Sequence, residues 1–214
     1  MNRLARTLKE KVIDQFITGY VINECYNTYN VTFLSETKLQ KLVFLSERKL
    51  ISQRIKALNY SYLAYKRGPF SFEVRHDFEK YKLIENIDDQ YINSIDNINK
   101  IIADFSDILK RNDEIINRID RVLKQYAFLD LDELLERVYN LSYKGRKIRY
   151  IKLKTPLLFR LYENSSSKIF DITEDELDDL SLCLDPNVAM QLDPALEDMR
   201  RGRVLSIEKV SRQL

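Results

Sequence analysis

Residues 95–126 read IDNINKIIADFSDILKRNDEIINRIDRVLKQY, and the spacing of their apolar side chains decides the fold class. Ile95, Ile98, Ile102, Phe105, Leu109, Ile116, Ile119, Leu123 and Tyr126 follow one another in steps of three and four, the period of a helix with one buried face. Asn112 takes the one slot where that pattern calls for an apolar residue. Ile101, Ile108, Ile115 and Val122 widen the stripe beyond the narrow seam of a two-chain coiled coil. The spacing therefore predicts two core-facing helices with a break at Arg111 to Asp113, in preference to one continuous coiled coil.

The flanking sequence continues in the same period. Leu4, Leu8, Val12, Ile13, Phe16, Ile17 and Tyr20 predict an amphipathic helix over residues 3–26, and Ser35 is a good N-cap for a second, with Leu39, Leu42, Val43, Ser46 and Leu50 on its buried side. Leu58 to Tyr65 is β-prone and stops at Lys66-Arg67-Gly68-Pro69. Ser71 then caps a helix to about Lys82, and Leu83 to Gln90 reads as a connector. Asp130 with Glu133 marks a short helix ending near Leu141. Lys144 to Lys154 alternates cationic and apolar residues in the manner of an amphipathic strand, and Asn164 to Lys168 is the best linker in the chain. Past it, Thr173 with Glu176 forms a capping box, Asp185-Pro186 and Asp193-Pro194 each read as an N-cap followed by Pro, Gly202 as a stop, and Ser206 as a last cap.

Composition agrees with a mainly α fold. The 214 residues include 4 Gly and 4 Pro, whereas average usage would give roughly 15 glycines. Few turns can need a positive φ, and no Gly-rich phosphate loop fits. We expect a compact helical domain over residues 1–160 with a short extended segment or small β-hairpin, a linker at 161–170, and a small acidic helical appendage at 171–214. So short a tail cannot close its own core, so it must dock on the main domain, a sister chain or a partner. A homodimer is one way to cover it.

The net charge of +2 conceals an uneven distribution. Residues 1–82 carry 15 basic and 8 acidic side chains, net +7, and residues 171–214 carry 5 and 11, net −6. Two widely separated cysteines, Cys25 and Cys183, and an N-terminus lacking a secretory apolar run are those of a reduced, cytoplasmic protein. The longest stretch without a charge, Cys25 to Ser35, is far short of the ~20 apolar residues of a membrane span.

Catalytic constellations are scarce. The single histidine, His76, has Ser71 and Asp77 nearby in sequence, but five residues separate Ser71 and His76 and put them on different faces of one helix. One His and two distant Cys do not make a zinc site, and no nucleotide-binding or kinase signature occurs. The expectation is no enzyme, no cofactor and no metal. Clustered cations with nearby Tyr143 and Tyr150 make Lys144, Arg146, Lys147, Arg149, Lys152 and Lys154 the nucleic-acid candidate; the same pattern protects an edge strand.

Two segments in order, Thr37-Lys38-Leu39-Gln40-Lys41-Leu42-Val43-Phe44-Leu45 and Tyr65-Lys66-Arg67-Gly68-Pro69-Phe70-Ser71, are followed by a helix with Asp77 and Phe78, and then by an Ile-rich helix leading to Leu131-Asp132-Glu133-Leu134-Leu135. Together they resemble the Panacea domain, the SocA-like antitoxin family often encoded in phages and mobile elements. The likeness spans roughly residues 5–150. Many members carry a His and then a Trp after the final helix, where this chain has Val138-Tyr139-Asn140. Residues 195–208 loosely resemble the ends of small antitoxins. The resemblance implies an antitoxin that neutralises a cognate protein toxin by direct binding, without chemistry, either by masking it or as an adaptor for its proteolysis. The candidate toxin-binding residues are Lys38, Lys41, Tyr65, Arg67, Gly68, Pro69 and Phe70, aromatics anchoring and cations orienting. A DNA-binding regulator using the basic run, an operon autorepressor for example, is the alternative.

Overall fold

The computed structural model describes residues 6–157 and 161–188. Thr7 and Glu10 form a reciprocal cap, Thr7 Oγ1 accepting from Glu10 N at 3.1 Å and the Glu10 carboxylate from Thr7 N at 2.9 Å, and helix α1 (Leu8–Asn27) starts there. After strand β1 (Leu34–Ser35), Ser35 Oγ accepts from Lys38 N at 3.2 Å and opens α2 (Glu36–Ser52). Strand β2 (Ile55–Lys56) and a hairpin of β3 (Leu63–Tyr65) and β4 (Gly68–Phe70) follow, and Ser71 caps α3 (Phe72–Ile84). Strand β5 (Tyr91–Ile92), directly after the expected connector, pairs antiparallel with β1.

The 95–126 stretch forms three helices: α4 (Asp96–Asp104), α5 (Ser106–Arg111) and α6 (Asp113–Tyr126). The break at Asn112 is where the pattern put it; a second falls at Phe105. Ile98, Ile108, Ile115, Ile119 and Leu123 are buried, and α6 lies along α2, so the stripe is the core face of separate helices within one chain. The side chain that caps α4 comes from elsewhere: Glu85, at the end of α3, accepts from Asn97 N (3.2 Å) and Ile98 N (2.6 Å).

Helix α2 was expected to bury one side. Leu39, Leu42, Val43, Ser46 and Leu50 are indeed buried, but so are Gln40, Lys41, Phe44, Leu45 and Glu47. The cause is the number of neighbours: α1, α3, α6, β4 and α7 (Leu131–Tyr139) all pack against it. Helix α1 is enclosed in the same way, and its polar side chains are satisfied internally. Asp14 takes Arg6 Nη1 at 2.8 Å and Asn59 N at 2.8 Å, Asn23 donates to Asn99 at 2.6 Å, and Gln15 donates to the Leu184 carbonyl at 2.9 Å.

Lys144 to Lys154 is not one amphipathic strand. Lys144 (φ +49°) and Gly145 (φ +80°) make a tight turn between β6 (Ser142–Tyr143) and β7 (Arg146–Lys147), and a single 3-10 turn follows at Ile148–Tyr150. Two successive positive φ values suit a two-residue hairpin and break any extended run.

Residues 161–170, read as a linker, are hydrogen-bonded along the domain. Strand β8 (Lys168–Ile169) pairs in parallel with β2, Ser167 N donates to Arg54 O at 2.7 Å, and Arg54 Nε donates to Ser165 O at 3.0 Å. The Thr173–Glu176 capping box opens α8 (Glu174–Cys183), which docks on α1 of the main domain. Asn112 ties this return down: fully buried, its Nδ2 donates to Ile108 O (2.9 Å) and Asp171 O (2.7 Å), while its Oδ1 accepts from Asp171 N (2.7 Å). The Asp193-Pro194, Gly202 and Ser206 expectations lie outside the described residues. Among the described residues no helix is long and apolar enough to cross a membrane.

Candidate functional site

The Thr37–Leu45 and Tyr65–Ser71 segments meet in space. Gln40 pairs with the Ser71 backbone on both sides, Nε2 donating to the carbonyl at 2.8 Å and Oε1 accepting from the N–H at 2.9 Å. One residue on, Lys41 Nζ donates to the Pro69 carbonyl at 2.8 Å. Thus α2 grips the exit of the hairpin through two adjacent side chains, and the Thr37–Leu45 and Tyr65–Ser71 segments form one structural unit.

The hairpin is built to carry a proline. Tyr65 faces Gly68 and Leu63 faces Phe70 across the ladder, leaving Ala64 opposite Pro69. Ala64 sends its N–H to Thr155 O (2.8 Å) and receives Lys154 N (2.7 Å) on its other edge, so the missing N–H of Pro69 costs the ladder nothing. Gly68 has φ +82°, the left-handed residue that follows the two-residue loop Lys66-Arg67 and starts β4. A Cβ there would also meet Tyr139, Lys41 and Val138 at 3.6–3.7 Å, so the departing Val138-Tyr139-Asn140 segment is the one against which the turn packs. Tyr139 hydroxyl donates to Lys66 O at 3.0 Å.

Two clefts flank this turn and share Tyr65, Lys66 and Gly68 as their common wall. The first, about 260 Å³, is completed by Glu36, Thr37, Gln40, Lys41, Arg67, Phe70 and Arg75. The second, about 370 Å³, is completed by Ala64, Glu136, Tyr139, Ile148, Arg149, Ile151 and Leu153. Of the cations of the basic run, Arg149 alone lines these clefts, sharing the second with Tyr65 and Gly68.

Not every expected residue serves as expected. Tyr65, 45 % exposed, and Arg67 are open to solvent. Gly68 and Pro69 are buried backbone supports, and Phe70 is buried, its ring 5.3 Å from Tyr65 and 5.0 Å from the exposed Phe72, with the Arg75 guanidinium 4.7 Å above it. Lys41 is only 2 % exposed; burial, opposed by the charge of Glu36 and aided by that of Arg67, pulls its ammonium down to about 7. It is a gripping residue at the inner wall of the cleft, where an exposed, steering cation was expected. Lys38 lines neither cleft; its half-buried ammonium sits near Cys25 and Asp130, and burial lowers its pKa. Glu36, Thr37, Arg75 and Tyr139, which also line the clefts, were not among the expected contact residues. Arg75 had a readable signal, since it lies one helical turn past the Ser71 cap.

All six cations of the basic run are exposed, but they are spread over a hairpin, a 3-10 turn and a loop, with Ile148 buried among them. Arg149 is paired with Glu136 at 2.7 Å and Lys147 donates to Asn140 at 3.3 Å. Ser71, His76 and Asp77 do not converge. His76 is exposed, Ser71 caps α3, and buried Asp77 accepts from Tyr60 at 2.7 Å. Around Tyr60 lies a polar cluster that no motif announced. The Arg6 guanidinium is 4.9 Å from the Tyr60 ring centroid, and Thr18 donates to the Tyr60 hydroxyl at 2.7 Å. Burial pushes the Asp14 carboxyl up to about 7 against the pull of Arg6, and pushes Asp77 upward as well. Among the described residues no group of three or more His, Cys, Asp or Glu is placed to hold a metal ion.

No family model matches the chain, and no curated protein or solved structure matches it significantly.

Proposed function

We propose that this chain is a protein-binding module whose contact surface is the Tyr65–Phe72 turn with its two flanking clefts, and that its partner is a protein toxin which it neutralises. One observation carries the binding half: Tyr65, Arg67 and Phe72 stand exposed on a turn held rigid by Gln40, Lys41 and Tyr139, with clefts on both sides. Exposed aromatic and arginine side chains on a braced support are what interface hot spots require, because little ordering entropy is lost on binding. The toxin half rests on the resemblance to Panacea-domain antitoxins. We place the activity in the cytoplasm, where the free thiols of Cys25 and Cys183 remain reduced.

Co-expression tests this. The gene product of a neighbouring reading frame should be toxic alone, be rescued by this chain, and elute with it as a stoichiometric complex. Tyr65→Ala with Phe72→Ala should abolish rescue while leaving the melting temperature nearly unchanged. If every neighbour is harmless and nothing co-elutes, the toxin reading fails. Toxin half-life with and without the chain separates masking from delivery to a protease.

Duplex DNA binding is the second reading, favoured by the exposure of Lys144, Arg146, Lys147, Arg149, Lys152 and Lys154 beside Tyr150, itself 71 % exposed. It requires a steep salt dependence that flattens when Lys147, Arg149 and Lys152 become alanine. Binding insensitive to those changes rules it out.

A further inference from the structure

The smaller cleft is electrically unbalanced. Lys41, Lys66, Arg67 and Arg75 line it against one carboxylate, Glu36. That carboxylate is already committed, its Oε1 accepting from Arg75 Nε at 3.0 Å and from Gln40 Nε2 at 3.3 Å. Lys66 and Arg67 are exposed and form no ion pair among the described residues. Lys41 makes one hydrogen bond, to Pro69 O, although an ammonium has three N–H donors. Its burial disfavours its charge by more than Glu36 restores, and the nearby Arg67 adds to the burial. Four cations thus line a concavity whose one carboxylate is held by Arg75 and Gln40, an arrangement that an incoming anion relieves.

We propose that this cleft is a carboxylate subsite that takes an Asp or Glu side chain carried on an apolar segment of the protein partner. The proposal rests on the protein-binding reading above and names the chemistry of what is bound. Arg67 supplies a planar fork suited to a carboxylate, and Lys41 a point charge at the inner wall. The rings of Tyr65 and Phe70 form the apolar side, which is why the residue next to the acid must be apolar. A duplex phosphate is the poorer fit, because Lys41 is enclosed and is reached only by a slender side chain entering about 260 Å³, whereas phosphates lie along a convex backbone.

The probes are a capped Phe-Glu dipeptide and its Phe-Gln counterpart, titrated into the full isotope-labelled chain and followed by the backbone amides of Tyr65, Arg67 and Phe70 and by Lys41 Cε. Phe-Glu should shift these signals to saturation in the millimolar range and raise the Lys41 titration midpoint. Phe-Gln, or Phe-Glu with the Arg67→Gln variant, should bind about tenfold more weakly, the loss of one charge-assisted contact. Equal binding of Phe-Gln, or no shift with Phe-Glu, overturns the proposal. So does displacement of Phe-Glu by a short DNA duplex, in favour of nucleic acid. Arg67 is exposed and outside the core, so its variant folds and the test stands without touching Lys41. Co-expression rescue is scored separately. Rescue that survives Arg67→Gln overturns the subsite alone, whereas failure of the unaltered chain to rescue overturns the neutralisation reading and leaves the peptide result to be judged by itself.

Discussion

Replacing Asn112 with leucine completes the apolar stripe of residues 95–126, and by sequence pattern alone it should stabilise the protein. We predict that it destabilises. Asn112 is fully buried and makes three hydrogen bonds, to Ile108 O at 2.9 Å and to the N–H and C=O of Asp171, both at 2.7 Å. At about 1 kcal/mol net each, their loss costs about 3 kcal/mol. The extra apolar contact of leucine returns about 1 kcal/mol, limited because the slot faces peptide groups. The net loss of about 2 kcal/mol corresponds to a melting temperature lower by about 4–8 °C for a chain of this length. The damage should be local first, since Asp171 lies between β8 and α8. Urea melts of Asn112→Leu and Asn112→Ala, with limited proteolysis of the native state, provide the assay. Both variants should lose stability and expose cleavage sites between residues 161 and 173. A leucine variant that melts at or above the parent temperature, with that segment still protected, would show the heptad pattern outweighing the hydrogen bonds and refute the reasoning.

Gly19→Ala should cost about 2 kcal/mol despite the better helix propensity of alanine, because the new Cβ meets the hydroxyl and Cζ of buried Tyr81 and displaces its hydrogen bond to Gln15 O; chemical denaturation reads it. Gln40→Ala leaves the buried Ser71 N–H and C=O without their partner and should lower stability by about 3 kcal/mol, with amide exchange at residues 68–72 accelerated more than in α6. The Asp14 carboxyl titrates near 7 in the folded chain and near ~3.9 when unfolded, so between those values the folded chain binds its proton more tightly. Its contribution to stability is therefore full at low pH and declines as pH rises toward 7, by at most about 1.4 kcal/mol per unit. Urea midpoints across that range should fall less steeply for Asp14→Asn, and a steeper fall contradicts the assignment.

The helical skeleton was legible because its signals are local. Ser35, Ser71, Asp130 and Thr173 each cap the helix expected of them, and the stripe through residues 95–126 names its own core face. What escaped was set by contacts distant in sequence. Lys41 carries a charge, so composition places it outside, but a carbonyl 28 residues away holds it within. Asp14 and Gln15 look like the polar side of an amphipathic helix until residues 59, 80 and 184 arrive to satisfy them. Residues 164–168 have the composition of a linker, but their backbone is bonded to residues 53–54. At the candidate site, the turn was readable from Gly68-Pro69, whereas the division of labour between exposed Arg67 and enclosed Lys41 depends on how α2 meets β4.

The enclosure of the middle of α2, Leu39 to Glu47, has a consequence for how the chain is born. Two of its walls, α6 and α7, end at residues 126 and 139, some 75 to 90 positions after α2 itself ends. At roughly 5–20 residues per second, a ribosome leaves Leu39, Leu42, Phe44 and Leu45 uncovered for several seconds before those walls are made. For that interval the nascent chain presents an uncovered apolar helix face, together with a hairpin whose clasp residues, Gln40 and Lys41, are already in place. Chaperone dependence should therefore track the rate of translation between codons 53 and 139, a property of the mature architecture written into the timing of synthesis.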